Sequence, residues 1–300
     1  MPNDQSADKG HVVVTGTSTG IGAATAVHLA GKGFHVFAGV RRDEDGEALQ
    51  AQAPDGLTPI RLDITDAATI SRAVNTVARA VGASGLAGLV NNAGVVKPAP
   101  IEFQPLDDFR EQLELNLVAH VAVTQAFLPL IRLGSGRIVN VGSIGGRLVL
   151  PIHGAYSASK FGMEALTDAL RLELRQWEIH VSLVDPGATE SAIFGKTLAE
   201  IDDLESRLGD DGYRLYAEQI DAVRRLVVKT AEDAAPPDAI AKAVAHALTS
   251  KKPKARYLEG HGAEAAATLA RMPDGVKDRA VAKEVGLPAP GVGAEAGVGG

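Results

Sequence analysis

The residues Thr15-Gly16-Thr17-Ser18-Thr19-Gly20-Ile21-Gly22 stand between a β-branched run, residues 11–15, and a helical pattern over residues 21–30. A doubly wound sheet binds a dinucleotide pyrophosphate at such a junction, because glycines let the backbone approach the phosphates and helix N–H groups receive their charge. The hydroxyls of Ser18 and Thr19 can add hydrogen bonds. A turn that serves packing alone is the alternative. The Gly-x3-Gly-x-Gly spacing differs from G-x-G-x-x-G, and no Gly-Lys-Ser/Thr follows, which excludes a P-loop.

Outward from this loop, strand and helix patterns alternate along the chain. Strands are predicted over residues 11–15, 34–40, 57–62, 86–90, 137–141, 179–184 and 256–258. Helices are predicted over residues 21–30, 65–81, 106–131, 156–177 and 238–249, with mobile lid helices within residues 196–235. This order predicts an α/β fold, a doubly wound Rossmann-type parallel sheet of about seven strands with helices on both faces. We predict one domain over residues 1–285 and a disordered tail over residues 286–300.

Composition and charge exclude several classes of protein. Thirty Lys and Arg residues against 37 Asp and Glu residues give a formal charge of −7, which argues against a nucleic-acid binder. An apolar content of 45% is enough for a full core and excludes intrinsic disorder of the whole chain. The absence of Cys excludes disulfides, thiolate metal sites and cysteine nucleophiles. No signal-peptide pattern opens the chain and no run approaches the ~18 apolar residues of a membrane span, so we predict a cytoplasmic protein.

Three further motifs follow the glycine loop in order: Asn91-Asn-Ala-Gly94, Tyr156-Ser-Ala-Ser-Lys160 and Pro186-Gly187. With the loop, they resemble the TGxxxGIG, NNAG, YxxxK and PG motifs of the short-chain dehydrogenase/reductase family. Residues 33–39, 61–65, 136–143 and 161–166 are similar to the branch that holds hydroxysteroid and retinol dehydrogenases. The resemblance covers residues 10–195 and implies a nicotinamide-dependent oxidoreductase.

A tyrosine and a lysine form the core of the predicted catalytic site. Tyr156 and Lys160 are four residues apart, so they share one face of a helix, and a Lys ammonium favours the phenolate of a nearby Tyr. The resemblance implies that Ser143 hydrogen-bonds the substrate oxygen and that Asn116 holds a proton-relay water, which completes a tetrad. A surface Tyr–Lys pair, a turn serine and a polar helix position are the alternatives. Hydrolysis by Ser143 is disfavoured, because Val141 takes the first glycine position of G-x-S-x-G.

The second predicted strand ends without an acid and is followed by Arg41-Arg42, which predicts NADP(H) rather than NAD(H), because a guanidinium suits a phosphate monoester. NAD(H) remains possible, since Thr17 and Ser18 are neutral where NADP-preferring relatives are often basic. A solvated charge run is the alternative for residues 41–47. Asp63-Ile64 resembles the family's adenine-contacting pair. The predicted cofactor-binding residues are Gly16, Ser18, Thr19, Gly20, Ile21, Gly22, Arg41, Arg42, Asp63, Ile64, Asn91, Ala93, Gly94, Tyr156, Lys160, Pro186, Gly187, Thr189 and Ser191.

The predicted substrate is a small apolar alcohol or carbonyl compound. We predict interconversion of a secondary alcohol and a ketone, or of a primary alcohol and an aldehyde, on a steroid, a retinoid or a xenobiotic carbonyl. An NAD-dependent 3-hydroxyacyl or hydroxybutyrate-type dehydrogenase is one alternative, and a non-catalytic nicotinamide-binding redox sensor is another. A doubly wound methyltransferase would not need the Tyr–Lys pair. The predicted substrate contacts are Ser143, Leu148, Val149, His153, Ile193 and Phe194.

Two predictions concern other partners. No metal is predicted, because no His residues form a ligand pair with nearby carboxylates in the glycine loop or the tetrad region. The resemblance implies a homodimer or homotetramer that assembles through the helices over residues 106–131 and 156–177.

Overall fold

A computed structural model describes residues 9–287 and 290–291. Within these residues, seven parallel strands form one sheet in the order β3-β2-β1-β4-β5-β6-β7. They are β1 (His11–Val14), β2 (His35–Val40), β3 (Leu57–Arg61), β4 (Gly88–Asn91), β5 (Arg137–Val141), β6 (Val181–Pro186) and β7 (Arg256–Glu259). The strand order reverses between β1 and β4, and such a switch point opens a ligand-binding crevice at the carboxyl ends of the strands.

Helices connect the strands and cover both faces of the sheet. They are α1 (Gly20–Gly31), α2 (Asp43–Gln50), α3 (Ala67–Val81), α4 (Leu106–Leu113), α5 (Ala119–Leu133), α6 (Gly154–Glu173), α7 (Ala192–Asp202), α8 (Leu204–Glu232), α9 (Asp238–Thr249), α10 (Ala263–Leu269) and α11 (Asp274–Val285). The predicted tail, residues 286–300, lies outside the described residues except at positions 286, 287, 290 and 291.

The alternation of side chains along β1 explains the two-sided core. Val12 and Val14 pack into one apolar cluster with residues of α1 and α9, whereas Val13 packs into a second cluster with residues of α3 and α5. All three valines are fully buried. Strands that are covered on both faces need continuous β-branched runs, which is why residues 11–15 indicate a central parallel strand.

The predicted helix over residues 106–131 is interrupted. A wide π-helical turn, Glu114–Val118, joins α4 to α5 and contains Asn116. The combined stretch Leu106–Leu133 is long and apolar enough to cross a membrane by length and composition, since an 18-residue window within it has a mean hydropathy of 1.4, although we expected no such run. Its residues Phe127 and Ile131 are fully buried against the sheet. The core helix of a globular protein can have the same length and composition as a membrane span, so the stretch is weak evidence for a span.

Helices α7 and α8 occupy the predicted lid region. Helix α8 is bent at Gly209, whose φ of 68° is typical of glycine. The two helices pack against the segments that follow β4 and β5 through an apolar group that we call the lid cluster: Ala99, Ile152, Ile201, Leu204, Ile220, Ala222, Val223, Val227 and Val285. The mobility of this region stays a prediction.

Candidate active site

The glycine loop follows β1 and is fixed by the segment that follows β4. The Thr15 hydroxyl oxygen accepts hydrogen bonds from the backbone N–H groups of Asn92, at 2.9 Å, and Ala93, at 3.2 Å. The Asn92 amide in turn donates to the carbonyls of Thr15 and Gly16, both at 3.0 Å. Thr15 and Asn92 were not among the predicted site residues, and they hold the two loops together at the switch point.

The loop fits the pyrophosphate of a dinucleotide. A Cβ atom at Gly22 would overlap the Gly16 carbonyl and the Asn92 amide, so the chain turns there more tightly than any side chain permits. Thr19 precedes α1 without a capping side-chain hydrogen bond in the described structure, and Ser18 and Thr19 are exposed. The first N–H groups of α1 can therefore receive a phosphate, as helix N-termini do in other nucleotide sites.

The segment after β6 lies over this loop. Ser191, at the start of α7, lies against Gly20. The Gly187 N–H donates to the carbonyl of Glu259 at 2.7 Å, and the Thr189 hydroxyl donates to the Gly187 carbonyl at 3.1 Å. Pro186 is the last residue of β6 and is buried. Of the predicted contacts of this segment, Ser191 lies against the glycine loop, whereas Gly187 packs against the segment after β7.

The NNAG segment divides into structural and site residues. The Asn91 amide donates to Thr124 Oγ1 at 3.0 Å and to Asn140 Oδ1 at 2.9 Å, so its side chain is buried inside the fold and links β4 to its neighbours. Gly94 lies between Asn116 Oδ1 and Lys160 Nζ. The Ala93 carbonyl accepts from His120. Ala93 and Gly94 thus lie between the glycine loop and the catalytic helix.

Lys160 and Tyr156 lie near the start of α6, below the carboxyl end of β5. Lys160 is 5% exposed, and its ammonium donates to the Val141 carbonyl at 3.1 Å. The same nitrogen lies 5.8 Å from the centre of the Tyr156 ring. Burial lowers the pKa of Lys160 to about 8, and the negative charge of Asp185 opposes this shift. Burial raises the pKa of Tyr156, whereas a hydrogen bond with Ser143 lowers it.

Ser143 follows β5 and faces the same space as Tyr156. Its hydroxyl oxygen accepts from the Gly145 N–H at 3.0 Å. Gly145 lies against both the Tyr156 ring and Ser143 Oγ, so this short turn brings the two hydroxyl groups together. Two hydroxyls beside a buried ammonium can bind one oxygen atom and exchange a proton with it, which is general acid–base chemistry.

Asn116 is fully buried in the π-helical turn. Its Oδ1 accepts from the Val95 N–H at 2.9 Å, and its amide donates to the Val95 carbonyl at 2.9 Å and to Ser159 Oγ at 3.1 Å. The side chain therefore holds the loop after β4 against α6. π-Helical turns occur frequently at functional sites, because they displace one residue from the regular helix.

His120 is a buried neighbour of the tetrad that the sequence did not single out. Its Nε2–H donates to the Ala93 carbonyl at 2.8 Å, and since a carbonyl can only accept, Nε2 carries the proton. Burial and the charge of Lys160 together lower the pKa of His120 to about 4, although the hydrogen bond to Ala93 opposes the shift, so the ring is neutral at physiological pH. His120 follows Asn116 by four residues, a spacing that puts both on one helical face, and this was the sequence signal that could have identified it.

The residues predicted to contact the adenosine end of a dinucleotide follow β2 and β3. Arg42 pairs with Asp45, with nitrogen–oxygen distances of 3.0 and 2.7 Å. Arg41 is exposed, and among the described residues no hydrogen bond to its guanidinium is found. Asp63 Oδ1 accepts from the N–H and hydroxyl of Thr65, and although burial acts against it, these bonds lower the pKa of Asp63. Ile64 is buried in the second core cluster.

The predicted substrate contacts come from the segment between β5 and α6 and from the start of α7. His153 packs edge-on to the Tyr156 ring at 6.4 Å and donates from Nδ1 to the Pro151 carbonyl at 3.1 Å. Burial lowers the pKa of His153. Phe194 packs on the lid cluster, as does Leu150, which was not predicted. Leu148 and Ile193 are partly buried and Val149 is 48% exposed, so Val149 contributes least to an enclosed pocket.

The family model for short chain dehydrogenase matches residues 10–202 of the chain. The chain belongs to this family. This short-chain dehydrogenase is 34% identical over 255 residues to an NADPH-dependent 3-dehydrocapnine reductase from Ornithobacterium rhinotracheale, a match that covers 83% of the chain and 87% of the relative. It is 33% identical to human dehydrogenase/reductase SDR family member 9, over 91% of the chain and 88% of the relative.

A solved structure has the same fold as this short-chain dehydrogenase. A short-chain dehydrogenase from Streptomyces avermitilis superposes with a TM-score of 0.73 at 30% identity, over 93% of this chain and 95% of that one. The comparisons confirm the predicted family and the Rossmann-type sheet. They also confirm that the protein is an oxidoreductase that acts on CH–OH groups and interconverts an alcohol and a carbonyl compound.

Proposed function

We propose that this short-chain dehydrogenase uses NADP(H) to interconvert an apolar ketone or aldehyde and its alcohol, with Tyr156 as the acid and base. The observation that carries this proposal is the position of the Tyr156 ring, which lies against the turn that carries Ser143 and 5.8 Å from the Lys160 ammonium. The glycine loop, Asp63 and Arg41 would hold the dinucleotide, and its nicotinamide supplies or accepts the hydride when bound.

The residues of the tetrad divide the remaining work. Tyr156 donates the proton to the substrate oxygen in reduction and takes it back in oxidation, while Ser143 donates a hydrogen bond that orients this oxygen. Lys160 places a positive charge beside the phenol, which favours the phenolate that forms when the proton leaves. Asn116 hydrogen-bonds Val95 and Ser159, and it thereby fixes the loop after β4 against α6 at the site.

Arg41 supports the choice of NADP(H), because within the described part of the chain no carboxylate accepts a hydrogen bond from its guanidinium, whereas the guanidinium of Arg42 is bound to Asp45. The NADPH dependence named for the 3-dehydrocapnine reductase relative is consistent with this choice. Arg41→Gln is expected to raise the KM for NADPH by about 10- to 100-fold, since a hydrogen bond to a charged group contributes about 1.5–3 kcal/mol. The KM for NADH should stay nearly unchanged. Steady-state kinetics with both cofactors measure the effect.

A matched control for this substitution is Arg79→Gln, which removes an exposed guanidinium of α3 that donates to the Asn75 carbonyl. Both KM values should be unaffected by it. An unmodified enzyme that uses NADH as efficiently as NADPH would contradict the assignment to NADP(H).

The lid cluster supports an apolar substrate. Phe194 and Leu198 of α7 and Leu150 of the segment before α6 border this cluster and are only partly buried, so they keep apolar surface accessible beside it. A screen of NADPH oxidation against steroid, retinoid, aliphatic and quinone carbonyls tests the class of substrate. Turnover confined to a short 3-oxo acid with NADH would instead favour the hydroxybutyrate-type alternative.

We propose that two copies of the chain pair through α5 and α6. These helices border a groove of about 530 Å³ that is lined by Leu128, Arg132, Leu170 and Trp177 among others. Trp177, which lines this groove, is 44% exposed, and α6 also exposes Leu172 (69%) and Phe161 (44%). Such a concentration of apolar surface is typical of an interface.

Leu172→Asp is expected to convert the oligomer to monomer, because it would place a charge without a partner in the interface. Light scattering after size exclusion measures the molar mass. Leu215→Asp, at a 50% exposed leucine of the lid, is the control that should keep the oligomer. A monomeric unmodified protein at about 10 μM would contradict the proposal, as would an unchanged mass for Leu172→Asp.

A further inference from the structure

A buried carboxylate lies behind the catalytic residues. Asp185, near the end of β6, is fully buried, and its Oδ2 accepts from Arg147 Nε at 3.0 Å. Its other oxygen, Oδ1, has no hydrogen-bond donor within the described part of the chain. A Cβ atom at Gly142 would overlap Oδ1, so the carboxylate fills the space that a side chain at this position would need. The glycine before Ser143 therefore makes room for a negative charge.

The Lys160 ammonium lies against the same strand end. Its Nζ donates to the carbonyl of Val141, the residue joined to Gly142, at 3.1 Å. Asp185 and Lys160 thus contact two adjacent residues, Gly142 and the last residue of β5, and they form no direct ion pair among the described contacts. Because both groups are buried, the two charges affect each other's protonation.

Arg147 connects Asp185 to a chain of charges that ends at the surface. A second Arg147 nitrogen lies 2.8 Å from Glu164 Oε1, and Glu164 Oε2 accepts from Arg256 Nε at 2.8 Å. Arg256 also donates to both oxygens of Asp168, at 2.8 and 2.9 Å. The charged groups around Asp185 therefore come from the loop after β5, from α6 and from β7.

We propose that Asp185, held by Arg147, is a positioning residue that keeps Lys160 in its ammonium form and so supports proton transfer at Tyr156. The inference rests on the proposed roles of Tyr156 and Lys160. It assigns a function to Asp185 and Arg147, although among the described contacts neither touches the Tyr156 hydroxyl or the Lys160 ammonium.

The signs of the interactions agree with this role. Burial, the negative charge of Glu164 and a hydrogen bond with the Glu164 carboxyl raise the pKa of Asp185 to about 7, whereas Arg147 opposes this shift and favours the ionised form. Burial lowers the pKa of Lys160 to about 8, and the charge of Asp185 opposes that shift. Removal of the Asp185 charge should lower the pKa of Lys160 further.

The test follows the protonation of Lys160 itself and needs no substrate. Protein labelled with 15N-lysine is titrated, and the Nζ signal that is missing in Lys160→Met is assigned to Lys160. Asp185→Asn is expected to lower the midpoint of this signal by about one pH unit or more, as removal of a nearby opposite charge does. Asp168→Asn is the matched control: it removes a carboxylate from the same chain of charges, remote from Lys160, and should leave the midpoint unchanged.

Two Arg147 variants keep the inference testable if Asp185→Asn does not fold. Arg147→Gln leaves Asp185 without its donor and should lower the Lys160 midpoint, whereas Arg147→Lys keeps a positive charge and should largely preserve it. An unchanged midpoint in folded Asp185→Asn or Arg147→Gln overturns the inference, and so does an equal shift in Asp168→Asn. Failure of the proposed function would appear separately, as unchanged turnover in a Tyr156 variant.

Discussion

Tyr156→Phe is expected to lower the rate of carbonyl reduction by about 100- to 10,000-fold, the usual contribution of a positioned proton donor. The substitution removes one hydroxyl and keeps the ring that packs on Gly145 beside Ser143. The site should therefore keep its shape, and the Kd for NADPH should change by less than about threefold. Single-turnover oxidation of NADPH measures the chemical step, and quenching or enhancement of NADPH fluorescence measures binding.

Tyr257→Phe is the matched control for this variant. Tyr257 lies in β7, and its hydroxyl contacts His246 Nδ1 at 2.8 Å in the cluster on the α9 side of the sheet. Loss of this hydroxyl should cost about 1 kcal/mol of stability and leave the rate of reduction intact. Unchanged turnover in Tyr156→Phe would remove the acid–base role of Tyr156 and with it the proposed mechanism.

The features that local sequence patterns determine could be predicted. Continuous β-branched runs such as Val12-Val13-Val14 belong to strands that are buried on both faces, and the glycines at positions 16, 20 and 22 belong to a loop that side chains would block. The Tyr156–Lys160 pair could be found because its two members share one helical face. Each of these signals lies within a few residues of sequence.

The supporting residues could not be predicted, because their partners are far away in the chain. Asn92 holds the Gly16 carbonyl across 76 positions, and Arg147 holds Asp185 across 38. No pattern in the neighbouring sequence indicates that an Asn or an Arg in a loop makes such a contact. The π-helical turn at Asn116 was missed for a related reason, since apolar residues continue through it and only the tertiary position of the side chain reveals the extra residue.

The charged stretch after β2 was not predicted to be helical. A solvated charge run was the alternative interpretation of residues 41–47, and the structure places the helix α2 over Asp43–Gln50. Three acids occupy its first turn, where they interact favourably with the positive end of the helix. The same stretch places Asp45 against Arg42, so one arginine of the predicted pair is already bound, and the proposed phosphate contact is assigned to Arg41.

Gly22→Ala is expected to weaken NADPH binding by at least about 100-fold, or about 2.8 kcal/mol. The new methyl group would overlap the Gly16 carbonyl and the Asn92 amide, and the first of these is backbone that cannot rotate away. The loop must therefore open at the point where the N–H groups of α1 should receive the pyrophosphate. Calorimetric titration with NADPH measures the loss, and thermal unfolding of the apoprotein reports how far the loop itself is destabilised.

Gly31→Ala separates this local effect from any general effect of a glycine replacement in α1. An added Cβ at Gly31 meets nothing within 4 Å, and its backbone does not need a positive φ. Alanine there should keep the Kd for NADPH and raise the stability of the helix by up to about 1 kcal/mol. If Gly22→Ala bound NADPH as tightly as Gly31→Ala does, the pyrophosphate would have to bind elsewhere. The close approach of Gly22 to Gly16 and Asn92 would then serve only the packing of α1 against the sheet.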